Sequence, residues 1–428
     1  MEANTILIKN AHILSPADGL DLTGDILIKD GRIEKTGENI SAAEADESPT
    51  VIDAGRCFAA PGFVDVHCHF RDPGQTEKED IHSGAAAAAA GGYTTVVCMA
   101  NTVPAIDSPE LLAENLKKAA PEAVHVLQCA AVTEQRKGLS LNDLSALKDA
   151  GAAGFTDDGS PIMNEALVRE AMIKAAEVGA VLSFHEEDPS LIGTAGINEG
   201  MVSRKLKLSG AKREAEIRMI ERDLSLALET GCMIDLQHVS AKESVELIRK
   251  AKKMDKRGLI HAEVTPNHFS LTEEAVLEYG ALAKINPPLR TEEDRLALIN
   301  GLSDGTLDLI ATDHAPHTSS DKNKELKSCM SGIIGLETAF SLGLRNLVLP
   351  GYNDLKKLIM LMSVNPAAVY GLDAGHLKAG SPADIVIFST EESTTFKSFR
   401  SRSDNTPFKG KTLPGRIIHT IAGGRKAY

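Results

Sequence analysis

Hydrophobic and polar positions change rhythm twice along the chain. Near the start the runs are short and β-rich. Thr5–Lys9 and Asp25–Lys29 predict strands, and Asp30-Gly31 ahead of Arg32-Ile33 predicts a tight hairpin turn. The acidic, polar stretch from Glu38 to Pro49 reads as a loop. The last fifty residues return to this character, with strands over Ala383–Phe388 and Arg416–Ala422 and a turn at Gly423-Gly424. Neither end covers both faces of its own strands, so the termini are expected to pair into one small β-domain, residues 1–56 with 376–428.

Between them, over 57–375, short β-branched runs alternate with longer segments rich in Ala, Leu, Glu and Lys. Eight strands are predicted: Gly62–His69, Thr94–Met99, Val124–Val132, Ala152–Thr156, Ala180–His185, Met233–His238, Leu259–Val264 and Leu307–Thr312. Helical stretches such as Glu165–Glu177 and Lys242–Lys253 separate most of them. Eight such units fit a closed (β/α)8 TIM-type barrel, an α/β fold whose active site lies at the C-terminal ends of the strands. An open doubly wound sheet is the alternative, but no G-x-G-x-x-G follows an early strand. The fold class is therefore a barrel with a small β-sandwich contributed by both termini.

Composition narrows the partners. Forty-six Lys and Arg face 60 Asp and Glu, a net charge of −14, which argues against nucleic acid as the main partner. A small anionic substrate needs only one or two local cations and stays open. The N-terminus lacks a basic segment followed by a long apolar core, and the apolar run Ala85–Ala90 is far too short to span a bilayer. The six cysteines contain no C-x-x-C pair and read as reduced thiols, so a cytoplasmic protein with no membrane association is expected.

The chemistry gathers at the predicted strand ends. The first strand closes on Val66-His67-Cys68-His69-Phe70-Arg71, where strict alternation would set His67, His69 and Arg71 on one face. The fourth ends in Asp157-Asp158-Gly159, the fifth at His185, the sixth at His238 and the eighth at Asp313. Each alone has a plain explanation as a turn or solvated loop residue. Together, four imidazoles and two carboxylates at one end of five strands supply the N and O ligands that zinc or a similar ion takes. Six ligands suffice for two ions if one carboxylate bridges. His261 and His268, near the seventh strand, read as structural.

These strings, PGFVDVHCHFRDPG, FTDDGSP, SFHEED, LQHVS, INPPLR and ATDHAPH, resemble those of the class I bacterial dihydroorotases, members of the amidohydrolase superfamily. The resemblance covers nearly the whole chain. It implies a Zn2+ enzyme, with one or two ions per subunit and a binuclear centre favoured. His67, His69 and Asp313 would hold one ion and His185 and His238 the other. Asp158 would bridge, with Asp157 as the fallback. Hydantoinases and allantoinases bridge instead with a carboxylated lysine; the nearest lysine here, Lys148, falls in the preceding helix. The implied reaction is reversible closure of N-carbamoyl-L-aspartate to L-dihydroorotate and water in pyrimidine (UMP) biosynthesis, with Asp313 as the catalytic proton shuttle. Arg71, Asn101 and His317 would contact the substrate carboxylate and Asn286 the ring. Phe70 and Cys68 depart from the family string and are expected to face outward into packing. The resemblance also implies a homodimer and, for some members, association with aspartate transcarbamoylase. Two other readings are a different cyclic amidohydrolase, such as an allantoinase or hydantoinase, and a non-catalytic subunit supporting that transferase. Loops around Gly159–Pro161 and Ser319–Gly335 are expected to close over the substrate.

Overall fold

A computed structural model describes residues 5–41 and 49–428. Most of the predicted Glu38–Pro49 loop and the first four residues of the chain thus lie outside the described residues. Strands from both termini build one sheet. Its order is Arg425–Lys426, Thr412–Ala422, Ile385–Thr395, Phe58–Pro61, Ile6–Ser15, Leu20–Lys29 and Arg32–Gly37, with Thr50–Asp53 also paired to Ile6–Ser15. The sandwich expected at the termini thus takes the form of a single continuous sheet, with bulges between Ile8 and Ala11 and between Ser389 and Ser393. Such bulges bend a sheet and sharpen its twist. Alternation explains its core. Ile6 and Ile8 meet Ile26, Ile28, Ile33 and Ile385 on one face, while Leu7 packs on Leu27 and Ile40 on the other. The hairpin turns at Asp30 and Gly31, both left-handed (φ 48° and 76°), the conformation that a tight two-residue turn requires.

The remaining strands form the barrel. Phe63–Cys68, Tyr93–Cys98 and His125–Gln128 make one parallel ladder, and Leu182–Phe184, Ile234–Leu236, Ile260–Val264 and Leu309–Ile310 make another. The fourth predicted strand is only a seam. Phe155 bridges Ala130 on one side and Leu182 on the other, and Cys68 bridges His314 to complete the ring. Val64, Val66, Val97, Met99, Val181 and Leu309 pack in its interior.

Helices Ile81–Ala90, Pro109–Ala119, Glu165–Glu177, Glu214–Thr230, Lys242–Met254 and Glu292–Asp304 surround it. Several start where the sequence supplies a side-chain cap: Asp80, Ser108, Asn164 and Thr291 each accept from a backbone N–H of the first turn. The alanine-rich first helix is small-sided because it lies close to the first strand. A Cβ built on Gly84 would stand 2.4 Å from the Phe70 ring. Phe70 and Cys68 are accordingly buried in packing, with the Cys68 sulfur 3.7 Å from that of Cys98. No helix among the described residues is long and apolar enough to cross a membrane.

Candidate metal centre

The barrel strands deliver their terminal side chains into one cluster. Asp158 lies at its middle. Its Oδ1 is 3.6 Å from His67 Nε2, 3.4 Å from His185 Nδ1 and 4.0 Å from His238 Nε2, and its Oδ2 is 3.6 Å from His69 Nε2. Asp313 Oδ1 stands 2.9 Å from His69 Nε2 and 3.6 Å from His67 Nε2. Two groups have ligand atoms close enough to share an ion: His67, His69 and Asp313, and His67, Asp158 and His238. Asp157 turns the other way. It accepts from the backbone N–H groups of Val132 and Thr133 and from the Thr133 hydroxyl, and burial raises it to about 6.

Neighbours decide which nitrogen each imidazole turns inward. Nδ1 of His67 donates to Glu263 at 3.0 Å, Nδ1 of His69 to Asn101 Oδ1 at 2.9 Å, and Nε2 of His185 to Glu187 at 3.2 Å. The opposite nitrogen of each then offers its lone pair to the cluster. His67 Nε2 is buried with no hydrogen-bond partner, and His185 Nδ1 lies 2.9 Å from His238 Nε2. At that distance the two nitrogens share either a proton or a bound cation. Electrostatics agree. Burial opposes charge on His185, yet Asp158 and Glu187 push it up to about 10. Burial and the nearby His185 and His67 hold His238 well below the ordinary range, while the imidazoles hold Asp158 well below its own against the effect of burial. Four inward nitrogens and two carboxylates fit a divalent ion that prefers N and O donors.

The backbone is strained where it aims these groups. Arg71, His238 and Asp313 have φ of 57°, 35° and 45°, a region that side chains rarely adopt. Register slips between Asp65 and Cys68, and the His67 N–H folds back onto Asp65 Oδ1. Simple alternation therefore does not carry Arg71 to the site; the left-handed turn does. Arg71 Nε donates to the Pro316 carbonyl at 3.3 Å.

Arg71, Asn101, Asn286 and His317 line a cavity of about 380 Å³ with five of the six cluster residues. Asn101 is already engaged: Oδ1 takes the His69 proton and Nδ2 donates to Asp158 at 2.8 Å, leaving one amide proton. Asn286 Oδ1 is buried without a partner. Nε2 of His317 donates to the Ser331 carbonyl at 2.8 Å, and burial together with Arg71 holds the ring neutral, down to about 2. The Nδ1 atom of that neutral ring is an acceptor. His261 pairs with Asp308 and His268 with Thr265 and the Pro287 carbonyl, away from the cluster. Lys148 Nζ reaches only the Ala152 carbonyl.

Sequence reasoning missed three acids. Glu263 and Glu187 orient His67 and His185. Asp65 staples the first strand to the eighth by accepting from Thr312 N at 3.0 Å, and burial raises it to about 7. The signal was present for two of them, since Val64-Asp65-Val66 and Ala262-Glu263-Val264 set an acid inside an otherwise apolar strand.

Comparisons with known proteins bear on this geometry. The dihydroorotase of Clostridioides difficile is 50% identical over 423 residues, covering 99% of each chain, and that of Clostridium acetobutylicum is 48% identical over 425 residues, again 99% of each. Among solved structures, the L-hydantoinase (dihydropyrimidinase) from Arthrobacter aurescens superposes with a TM-score of 0.85 at 27% identity, over 98% of this chain and 95% of that one. The dihydropyrimidinase from Brevibacillus agri matches with the same TM-score at 20% identity, over 99% and 94%, a likeness of fold. The family model described as the amidohydrolase family matches residues 58–427, and with the full-length relatives this settles the affiliation: the chain belongs to the amidohydrolase family.

Proposed function

We propose that the chain is a metal-dependent cyclic amide hydrolase of the class I dihydroorotase type, interconverting N-carbamoyl-L-aspartate and L-dihydroorotate in pyrimidine synthesis. The observation that carries this is full-length identity of 45–50% to relatives named dihydroorotase. Asp158 supports the subclass, since it lies within 4.0 Å of four imidazoles while Lys148, the nearest lysine along the chain, bonds the Ala152 carbonyl instead. His67, His69, Asp158, His185, His238 and Asp313 would hold one or two Zn2+ ions. A bound ion supplies Lewis acidity toward the amide carbonyl and makes water more acidic, toward a pKa of ~7.

The residues do the rest. Arg71 offers a guanidinium to the ring carboxylate. That anion would offset the Arg71 part of the field that keeps His317 neutral, and His317 borders the same cavity. Asn101 spends its remaining amide proton on the same carboxylate, and the partnerless Asn286 Oδ1 accepts from a ring N–H. In hydrolysis Asp313 takes a proton from the attacking water and returns it to the leaving ring nitrogen; in cyclisation it runs in reverse. A non-catalytic role is disfavoured because no ligand position is empty of a suitable side chain. The same reading includes a composite β-domain (1–56 and 376–428) on a barrel (57–375), a homodimer, association with aspartate transcarbamoylase and a cytoplasmic location.

The test is one preparation assayed for metal content and for hydrolysis of dihydroorotate, hydantoin and allantoin. One to two zinc ions per chain with preferred turnover of dihydroorotate is the expected result. Preference for hydantoin or allantoin would reassign the substrate, and a loaded protein inert in both directions would revive the non-catalytic reading.

A further inference from the structure

The cavity wall formed by Cys329, Met330, Ser331 and Gly332 is backed by two buried lysines. Elsewhere the buried Arg290 is paired with Glu216 at 3.2 Å. Lys322 and Lys284 are each only 6% exposed, and neither makes an ion pair among the described residues. Lys322 Nζ is held by the carbonyls of Met330 and Gly332, both at 2.9 Å, and more weakly by that of Lys284. Lys284 Nζ is held by those of Leu326 at 2.6 Å and Cys329 at 2.8 Å. Arg71, which lines the same cavity, donates to the Pro316 carbonyl and lies in the field of Asp313, Asp158 and Asp321. Asp321, next to Lys322 in the chain and within its field, stands 3.8 Å from both Lys78 and His317.

Leaving an ammonium buried and unpaired is costly, and in a chain with 60 acids a partner would be easy to supply. Carbonyls satisfy its protons but form no ion pair with it. Met330, Ser331 and Gly332 line the cavity, so the Lys322 charge sits directly behind its wall. Because a trans peptide sets N–H opposite to C=O, the Met330 carbonyl that faces Lys322 turns the Ser331 N–H away from it. That N–H donates to no group among the described residues. The wall therefore offers an anion one free donor with an unpaired cation behind it.

Resting on the proposed reaction, we infer that Lys322, supported by Lys284, is a specificity-determining positioning residue. Through the 329–332 loop it selects cyclic amides that carry a carboxylate over neutral ones of the same ring size. It touches no substrate; it acts through the field and through the peptide it holds.

The experiment compares wild type with Lys322→Met and, in case that variant does not fold, Lys284→Met. Each is measured for dihydroorotate hydrolysis and for inhibition by dihydrouracil, the same ring without the carboxylate. The expected result is a KM for dihydroorotate raised roughly five- to tenfold, kcat within about twofold, and an unchanged inhibition constant for dihydrouracil. Equal weakening toward both ligands would mean that the lysines only hold the loop, and no change toward either would mean that their charge is not felt; both overturn the inference. Failure of the underlying reaction appears separately, as a wild-type enzyme that does not hydrolyse dihydroorotate.

Discussion

In the terminal sheet, isoleucines from six strands interdigitate, the hairpin turns where Asp30-Gly31 allows it, and no buried side-chain polar atom among the described residues lacks a partner. At the barrel mouth the chain does the reverse. His67 Nε2, His238 Nδ1, Asn286 Oδ1 and His317 Nδ1 are buried without partners, and Arg71, His238 and Asp313 are left-handed. The terminal sheet keeps its left-handed non-glycine positions to Asn10, Asp30 and Asn39, the residue types that tolerate that conformation, whereas the mouth bends an arginine, a histidine and an aspartate beside unsatisfied polar atoms. Stability tends toward the first arrangement and chemistry toward the second, because a group already satisfied by the protein has nothing left for a ligand.

The largest expected effect separates the two regions directly. Asp313→Ala should lower dihydroorotate turnover on the order of 10³-fold or more while leaving the melting temperature within a few degrees of wild type. A wild-type rate would remove Asp313 from proton transfer. Ile28→Ala should do the opposite, costing about 3 kcal/mol in denaturant unfolding with kcat/KM per folded molecule unchanged. Lost activity at full folding would mean that the sheet supports the site more intimately than its contacts suggest.

Glu263→Gln sharpens the comparison within the mouth. It removes the carboxylate that fixes the His67 tautomer, so affinity for zinc, read by competition with a chelator, should fall roughly 10–100-fold and activity should return at high zinc. Unchanged affinity would leave Glu263 a packing residue.

The smallest effect concerns acid. Asp294, between Arg213 and Thr291, is held down to about 2 although burial opposes it. Its folded value lies below its unfolded one. Its contribution is thus complete above pH ~4 and lost as pH falls toward 2, an amount of about 2 kcal/mol. Asp294→Asn should flatten stability across that window, measured by denaturant titration at several pH values; an unchanged slope would assign acid sensitivity elsewhere.

Periodicity alone determined much of this molecule. The alternation of short β-branched runs with amphipathic helices carries the barrel, and the polar ends of those runs mark where side chains gather, because both depend on local spacing. The terminal strands were legible as strands. That they form one continuous sheet was not, since pairing across more than three hundred residues leaves no local trace. The family resemblance already favoured Asp158, with Asp157 as the fallback; tertiary structure supplies the physical difference, since both sit in one tripeptide turn and only Val132 and Thr133, from the neighbouring strand end, capture Asp157. Tertiary structure alone turned Arg71 into the cavity by a left-handed residue, recruited Glu263 and Glu187 to orient imidazoles far away in sequence, and set Lys322 behind the wall. Spacing along the chain reports which side chains are available, whereas the protons, lone pairs and charges they present are decided by the neighbours that folding brings within 3–4 Å.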